Sequence, residues 1–191
     1  MQIDPSTGLI REARQVASPN ADDRPAGAPL DLVVLHSISL PPGEFGGPWI
    51  EQLFCNTLPP DEHPYFAEIH PLKVSAHVLI RRDGELIQFV PFQQRAWHAG
   101  QSNYCGREAC NDFSIGIELE GTDDLAFEAI QYATLAALIT ALCATYPGIN
   151  RDHITGHSDI APGRKTDPGS GFEWDTLYAL LDSSAPDQQS A

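Results

Sequence analysis

The chain has 191 residues, 42% of them hydrophobic, and carries a formal charge of −15 at pH 7. That length suits one domain with a sizeable core. The charge excludes a nucleic-acid binder, which needs a basic footprint, and docking on an anionic bilayer. No run approaches the roughly 18 apolar residues of a membrane span. The start, Met1-Gln2-Ile3-Asp4-Pro5, has neither the basic residues nor the apolar run of an export signal, so a cytoplasmic protein is expected. Cys55, Cys105, Cys110 and Cys143 form no C-x-x-C pair and no zinc-finger spacing. They are expected as free thiols packed as small apolar groups, a Cys105–Cys110 bridge under oxidation being the alternative.

Residues 1–30 read as an irregular lead-in, with turn chemistry at Ser18-Pro19-Asn20 and Asp22-Asp23-Arg24-Pro25. Leu30 to Leu35 is a nearly continuous apolar run, the pattern of a strand buried on both faces, and it ends at His36. A loop rich in glycine and proline follows, then an apolar stretch from Trp49 to Phe54 and a second loop from Asn56 to Pro64. Val74, Ala76, Val78 and Ile80 alternate as one face of a strand. Asp83-Gly84 signals a hairpin, and Leu86 to Val90 is the return strand. Residues 97–112 read as a long loop, and loops of that length are usually functional.

From Phe113 to Leu119 the alternation puts Phe113, Ile115, Ile117 and Leu119 on one face of a strand. Ser114, Gly116, Glu118 and Glu120 fall on the other. Ile130, Leu135, Leu138, Ile139 and Leu142 have helical spacing within 127–146, and Pro147-Gly148 stops that helix. A last helix is expected over 173–181, before a disordered polar tail over 183–191. With no internal repeat and no linker, residues 1–182 read as a single α/β domain with a central mixed sheet flanked by helices.

Three polar placements bear on chemistry. His36 ends a buried strand, at a sheet rim where a side chain can be held rigidly; the alternative is a histidine capping a loop carbonyl. Glu118 is costly to bury in a β-rich strand unless it is paired, bonded or set in a cleft, where a partly desolvated carboxyl could act as general base. Its alternative is a solvated outer face, with Glu118 and Glu120 both in water. The segment Thr155 to Gly169 places His157, Lys165 and Asp167 within eleven residues of turn-rich chain, which is also compatible with a charged surface loop. His36, His157 and Asp167 together offer two nitrogens and one oxygen with a fourth position open, the arrangement of a catalytic zinc. His63, His70, His77, His98 and His153 leave other ligand sets open, and spacing does not choose among them.

Five motifs in order carry a resemblance. They are Val34-Leu35-His36-Ser37-Ile38-Ser39-Leu40-Pro41-Pro42-Gly43, Val74-Ser75-Ala76-His77, Arg95-Ala96-Trp97-His98-Ala99-Gly100, Asn111 to Thr122, and Gly156 to Gly169. The chain resembles the cytoplasmic 1,6-anhydro-N-acetylmuramyl-L-alanine amidases (the AmpD group), within the zinc N-acetylmuramoyl-L-alanine amidase and peptidoglycan-recognition superfamily. The resemblance spans about residues 15–182.

It implies one zinc per chain, with ligands at His36, His157 and Asp167. Glu118 stands at the position of the acid that activates water, and Lys165 at that of the transition-state stabiliser. It also implies a small-molecule substrate, an anhydromuropeptide cut between the lactyl group and L-alanine in cell-wall recycling. In such bacteria, loss of the enzyme induces a chromosomal β-lactamase. No nucleic acid, membrane or obligate protein partner is implied. Expected substrate contacts are Arg107, with Trp97 and His98 as walls, and Ser37, which stands where the family has asparagine. Ser170-Gly171 also departs from the family, which has proline after Gly169. The alternative function is a binding module of the same fold that does not cut.

Overall fold

In the computed structural model, which describes residues 1–183, the apolar run after Asp31 becomes an interior strand of a six-stranded sheet. In chain order the strands are β1 (Ile3–Asp4), β2 (Leu9–Ile10), β3 (Arg14–Gln15), β4 (Ala21–Asp23), β5 (Leu32–Ile38), β6 (Val78–Ile80), β7 (Leu86–Gln88), β8 (Gln94–Ala96), β9 (Asn103–Tyr104), β10 (Arg107–Glu108), β11 (Ser114–Glu120) and β12 (Ile154–Gly156). The helices are α1 (Trp49–Phe54), α2 (Pro64–Ile69), α3 (Ala129–Thr145), α4 (His157–Ile160) and α5 (Trp174–Ser183). The sheet runs β12-β5-β11-β6-β7-β3, with β12, β5, β11 and β6 parallel and the β6–β7 hairpin antiparallel. This is the mixed α/β architecture expected from the alternation of strand and helix signals.

The two faces of the sheet have different tasks. Val33, Leu35, Ile115, Ile117, Leu119, Val78 and Ile80 pack beneath Leu135, Leu138, Ile139 and Leu142 of α3 in the main core. Leu135, Leu138 and Leu142 are fully buried, and truncating any of them to alanine costs about 2–5 kcal/mol. On the opposite face Leu32 and Val34 join Phe113 and Ile160 in a smaller cluster. His36 lies beyond them on the same face of β5, since side chains alternate along a strand.

Several expectations need correction. The first 30 residues contain four short strands, and β3 extends the sheet by pairing with β7. Val74 and Ala76 pack with α1 and α2, whereas Val78 and Ile80 enter the main core, so the alternation breaks at His77. There one carbonyl, that of His77, accepts from both Phe89 N and Val90 N. Phe113 precedes β11 and falls into the smaller cluster, away from Ile115 and Ile117. Ile130 stays 48% exposed, lying over the Gly84 turn. Helix α2, inside a proline-rich stretch, was not expected; Pro64 starts it and the His63 ring accepts from Tyr65 N. The final helix runs to Ser183, and the rest of the expected polar tail lies outside the described residues.

Candidate metal centre

The parallel register decides where the polar residues meet. β5 and β11 pair with Glu118 beside His36, and β12 pairs with β5 so that Gly156 lies beside Leu35. His157, the residue after β12, therefore emerges next to His36 at the carboxyl ends of three neighbouring strands, where open α/β sheets build their sites. The loop after α4 returns Asp167 to the same place, its carbonyl accepting from Ser158 N at 2.9 Å.

There His36 Nδ1 and His157 Nδ1 are 2.9 Å apart, and Asp167 Oδ2 lies 3.0 Å from the first and 2.9 Å from the second. His157 Nε2 is 3.1 Å from the Ala99 carbonyl, which can only accept, so the neutral form of that ring carries its proton on Nε2 and leaves Nδ1 bare. Burial first pushes His36 down to about 4, the Asp167 contact opposing it, so the ring is neutral near pH 7. Burial also works to raise Asp167, but its contacts with the two imidazoles outweigh that and hold it below its ordinary value, as an anion. Three such electron-pair donors converging on one point need a cation among them, either a shared proton or a metal ion. This trio could hold one metal ion, and it is the only such group of histidine, cysteine or acidic side chains found among the described residues.

Glu118 adds the second chemical element. One of its oxygens, Oε2, is buried without a hydrogen-bond partner. Burial first, and then the charge of Asp167, raise its carboxyl well above the ordinary value, with Lys165 pulling the other way. A carboxyl raised in this way is a stronger base than an exposed one and can take and return a proton. Neither Glu118 nor Glu120 lies on a solvated face: Glu120 is 2% exposed and accepts from Arg81 Nη1, Arg82 N and Gly46 N.

The site opens into a cleft of about 540 Å³. His36, Ser37, His98, Glu118, Asp123, His157, Lys165 and Asp167 form its polar side, and Leu40, Leu53, Phe54, Tyr65, Ile69, Leu72 and Val74 its apolar side. Lys165 is exposed and is the single lysine or arginine among these lining residues. Ser37 Oγ donates to Asp123 Oδ1 at 3.3 Å.

The expected substrate contacts separate into two groups. Ser37 and His98 line the cleft; Trp97 and Arg107 do not. Trp97 Nε1 donates to Asp22 Oδ1. Arg107 forms a two-pronged ion pair with Asp31 and lies 3.8 Å over the Phe113 ring. Asp31 precedes β5, five residues before His36, so Arg107 is held roughly 16 Å away at the other end of the strand. His77 is engaged elsewhere: its Nδ1 accepts from Gly116 N beside the half-buried Arg24. The sequence reading missed Asp123 and the apolar wall. Only the apolar run Trp49–Phe54 hinted at the wall, because α2 was hidden among prolines. All four cysteines are free.

Comparison with known proteins gives the family. The N-acetylmuramoyl-L-alanine amidase family profile matches residues 26–170. The chain belongs to that family. Among relatives of this amidase, the 1,6-anhydro-N-acetylmuramyl-L-alanine amidase AmpD of Salmonella typhimurium strain SL1344 is 62% identical over 177 residues, 93% of this chain and 94% of that protein. A crystal structure of a selenomethionine derivative of AmpD superposes with a TM-score of 0.91 at 59% identity, covering 95% of this amidase and 99% of that chain. The amidase AmiD from E. coli, in complex with the substrate anhydro-N-acetylmuramic acid-L-Ala-D-γ-Glu-L-Lys, matches with a TM-score of 0.59 at 30% identity, covering 81% of this amidase and 59% of that chain. No helix among the described residues is long and apolar enough to cross a membrane.

Proposed function

We propose that this amidase hydrolyses the amide between the lactyl group of 1,6-anhydro-N-acetylmuramic acid and L-alanine, in cytoplasmic recycling of peptidoglycan, with zinc held by His36 Nδ1, His157 Nδ1 and Asp167 Oδ2. The observation that carries the reading is the convergence of those three atoms beside the unpartnered buried oxygen of Glu118. The two imidazoles and one carboxylate are a donor set suited to zinc, and three protein ligands leave a coordination position for chemistry. The substrate class is supported by the AmpD relative and by the muropeptide bound to the AmiD neighbour.

When bound, zinc would polarise the scissile carbonyl and lower the pKa of water towards about 7. The protein's own groups do the rest. Glu118 takes a proton from the attacking water at its buried carboxylate, and its raised pKa lets it return that proton to the leaving L-alanine amine. Lys165, at the cleft, offers its ammonium to the oxyanion that forms on the lactyl carbonyl. Water supplies hydroxyl to the lactyl carbon and hydrogen to the amine, so one water is consumed per bond cut. The apolar wall from Leu40 to Val74 keeps bulk water from one side of the bond.

Release of peptide from anhydromuramyl-tripeptide tests the reading. Turnover should stop with a chelator and return with zinc. Zinc-loaded protein that binds the muropeptide without releasing peptide would instead establish a binding module. Fractionation of the native protein tests its compartment.

A further inference from the structure

The chemistry above leaves His98 and Ser114 without a part, although Ser114 is fully buried and His98 lies against a ligand. Ser114 Oγ is 2.6 Å from the Cys110 carbonyl, which can only accept, so the hydroxyl proton points there. Ser114 Oγ must then accept from His98 Nε2, 3.1 Å away. With its proton on Nε2, the neutral His98 ring has a bare Nδ1, and this atom is 2.9 Å from His36 Nε2. That contact is a hydrogen bond only if His36 Nε2 carries the proton, which leaves His36 Nδ1 bare, facing His157 and Asp167.

The surroundings are built for this chain of bonds. A Cβ on Gly116 would lie 2.4 Å from His98 Cγ, so glycine there makes room for the ring. Asn111 Oδ1 accepts from His98 N and Ala99 N, and Ala99 O holds the outer nitrogen of His157. One dipeptide thus fixes both imidazoles from behind. Partners of this kind set ring orientation and tautomer at metal sites.

We infer that Ser114 and His98 form a hydrogen-bonded relay that fixes His36 in the Nε2–H tautomer and presents its Nδ1 lone pair to the metal, so that both are positioning residues for the metal centre. This rests on the zinc centre proposed above. The relay predicts that Ser114→Ala and His98→Phe each weaken zinc binding by about 10–100-fold, the usual effect of losing such a partner. His98→Asn keeps an acceptor oxygen near the Nδ1 position and should recover most of that loss.

The test is chelator competition on the zinc-loaded full chain, joined to ¹⁵N spectra of its histidines. His98 should be protonated on Nε2, with a coupling across the hydrogen bond between His36 Nε2 and His98 Nδ1. A merely structural role would move the melting temperature without producing that coupling or the rescue by asparagine. Zinc affinity within twofold of wild type in both Ser114→Ala and His98→Phe, or a His98 proton on Nδ1, would overturn the relay alone. A wild-type chain that takes up no zinc would overturn the metal centre and the relay with it.

Discussion

Glu118 and Asp167 are both acids near one point, yet their environments drive them apart. Burial and the neighbouring Asp167 charge raise Glu118, while contacts with two imidazoles hold Asp167 down. Two carboxyls separated in this way take separate roles, one moving protons and one staying an anion. Glu118→Gln should therefore keep zinc and lower turnover by about 10²–10⁴-fold, the usual contribution of a positioned acid–base group. Peptide release measured beside elemental analysis checks this, and unchanged turnover would remove Glu118 from the mechanism. Asp167→Ala should lose both zinc and activity, because it leaves two nitrogens without the anion that converged with them. A full complement of zinc in that variant would refute the assignment. At this scale the sequence was informative about residue types: His36 at a strand end, Glu118 on a strand face with Gly116, and the clustered His157, Lys165 and Asp167. It was silent about convergence, because His36 and His157 are 121 residues apart and only the β5–β12 pairing brings them together. Arg107 shows the limit of arguing from residue type. A guanidinium in a long loop is an attractive carboxylate ligand, but Asp31 and the Phe113 face already occupy it.

The elements that hold the site are β5, β11 and the loop after α4, and they were legible to different degrees. β5 and β11 announce themselves because a run buried on one or both faces has a strong pattern. The 74–80 stretch also alternates, but His77 turns inward to bond Gly116 N and the parity of the side chains changes there. Alternation cannot reveal a break of that kind, since both sides of it are apolar. The short strands of the first 30 residues lack any run long enough to show a period, and β3 exists because β7 offers an unpaired edge. The loop after α4 depends on Gly169, which has φ +82° and sits where a Cβ would lie 2.2 Å from Asp123 Cα. Backbone on backbone cannot yield as a flexible side chain would. Gly169→Ala should cost at least about 1–2 kcal/mol from the left-handed backbone alone, or at least about 3 °C in Tm for a chain of this size. Because Asp167 lies two residues away, the same change should weaken zinc binding. An alanine variant with unchanged Tm and unchanged zinc affinity would show that this turn does not hold the ligand in place.

For the whole molecule, folding removes histidines from water in one contiguous layer on the site face of the sheet. His36, His98 and His77 follow one another by ring contact, and burial, the largest cause in each, pushes all three below the ordinary histidine value of 6.5. Arg24 lies 3.0 Å from His77 and adds to the cost of charging it. In metal-free protein each such histidine is neutral when folded and binds a proton when unfolded below pH 6.5. Its contribution is complete above that pH and is lost as pH falls towards the folded value, about 4 for His36. Glu118 acts with the opposite sign: its raised folded value makes acidification favour the folded state. Three histidines against one carboxyl leave a net of two protons taken up on unfolding, so stability should fall by up to about 3 kcal/mol per pH unit between 6.5 and 4.5. The −15 charge works against this trend, since self-repulsion relaxes as pH approaches the pI of about 4.6. That repulsion acts between exposed groups and is screened beyond about 8 Å at 0.15 M salt, whereas the buried rings are not reached by ions. Urea midpoints in chelator and 0.15 M salt should therefore drop steeply from pH 7 to pH 5. Zinc should raise the curve, because it binds the assembled site of the folded chain more tightly than the scattered ligands of the unfolded one. A flat or rising midpoint on acidification would mean that the histidine layer already carries charge at neutral pH, and the lone pairs assigned to the metal would then be occupied by protons.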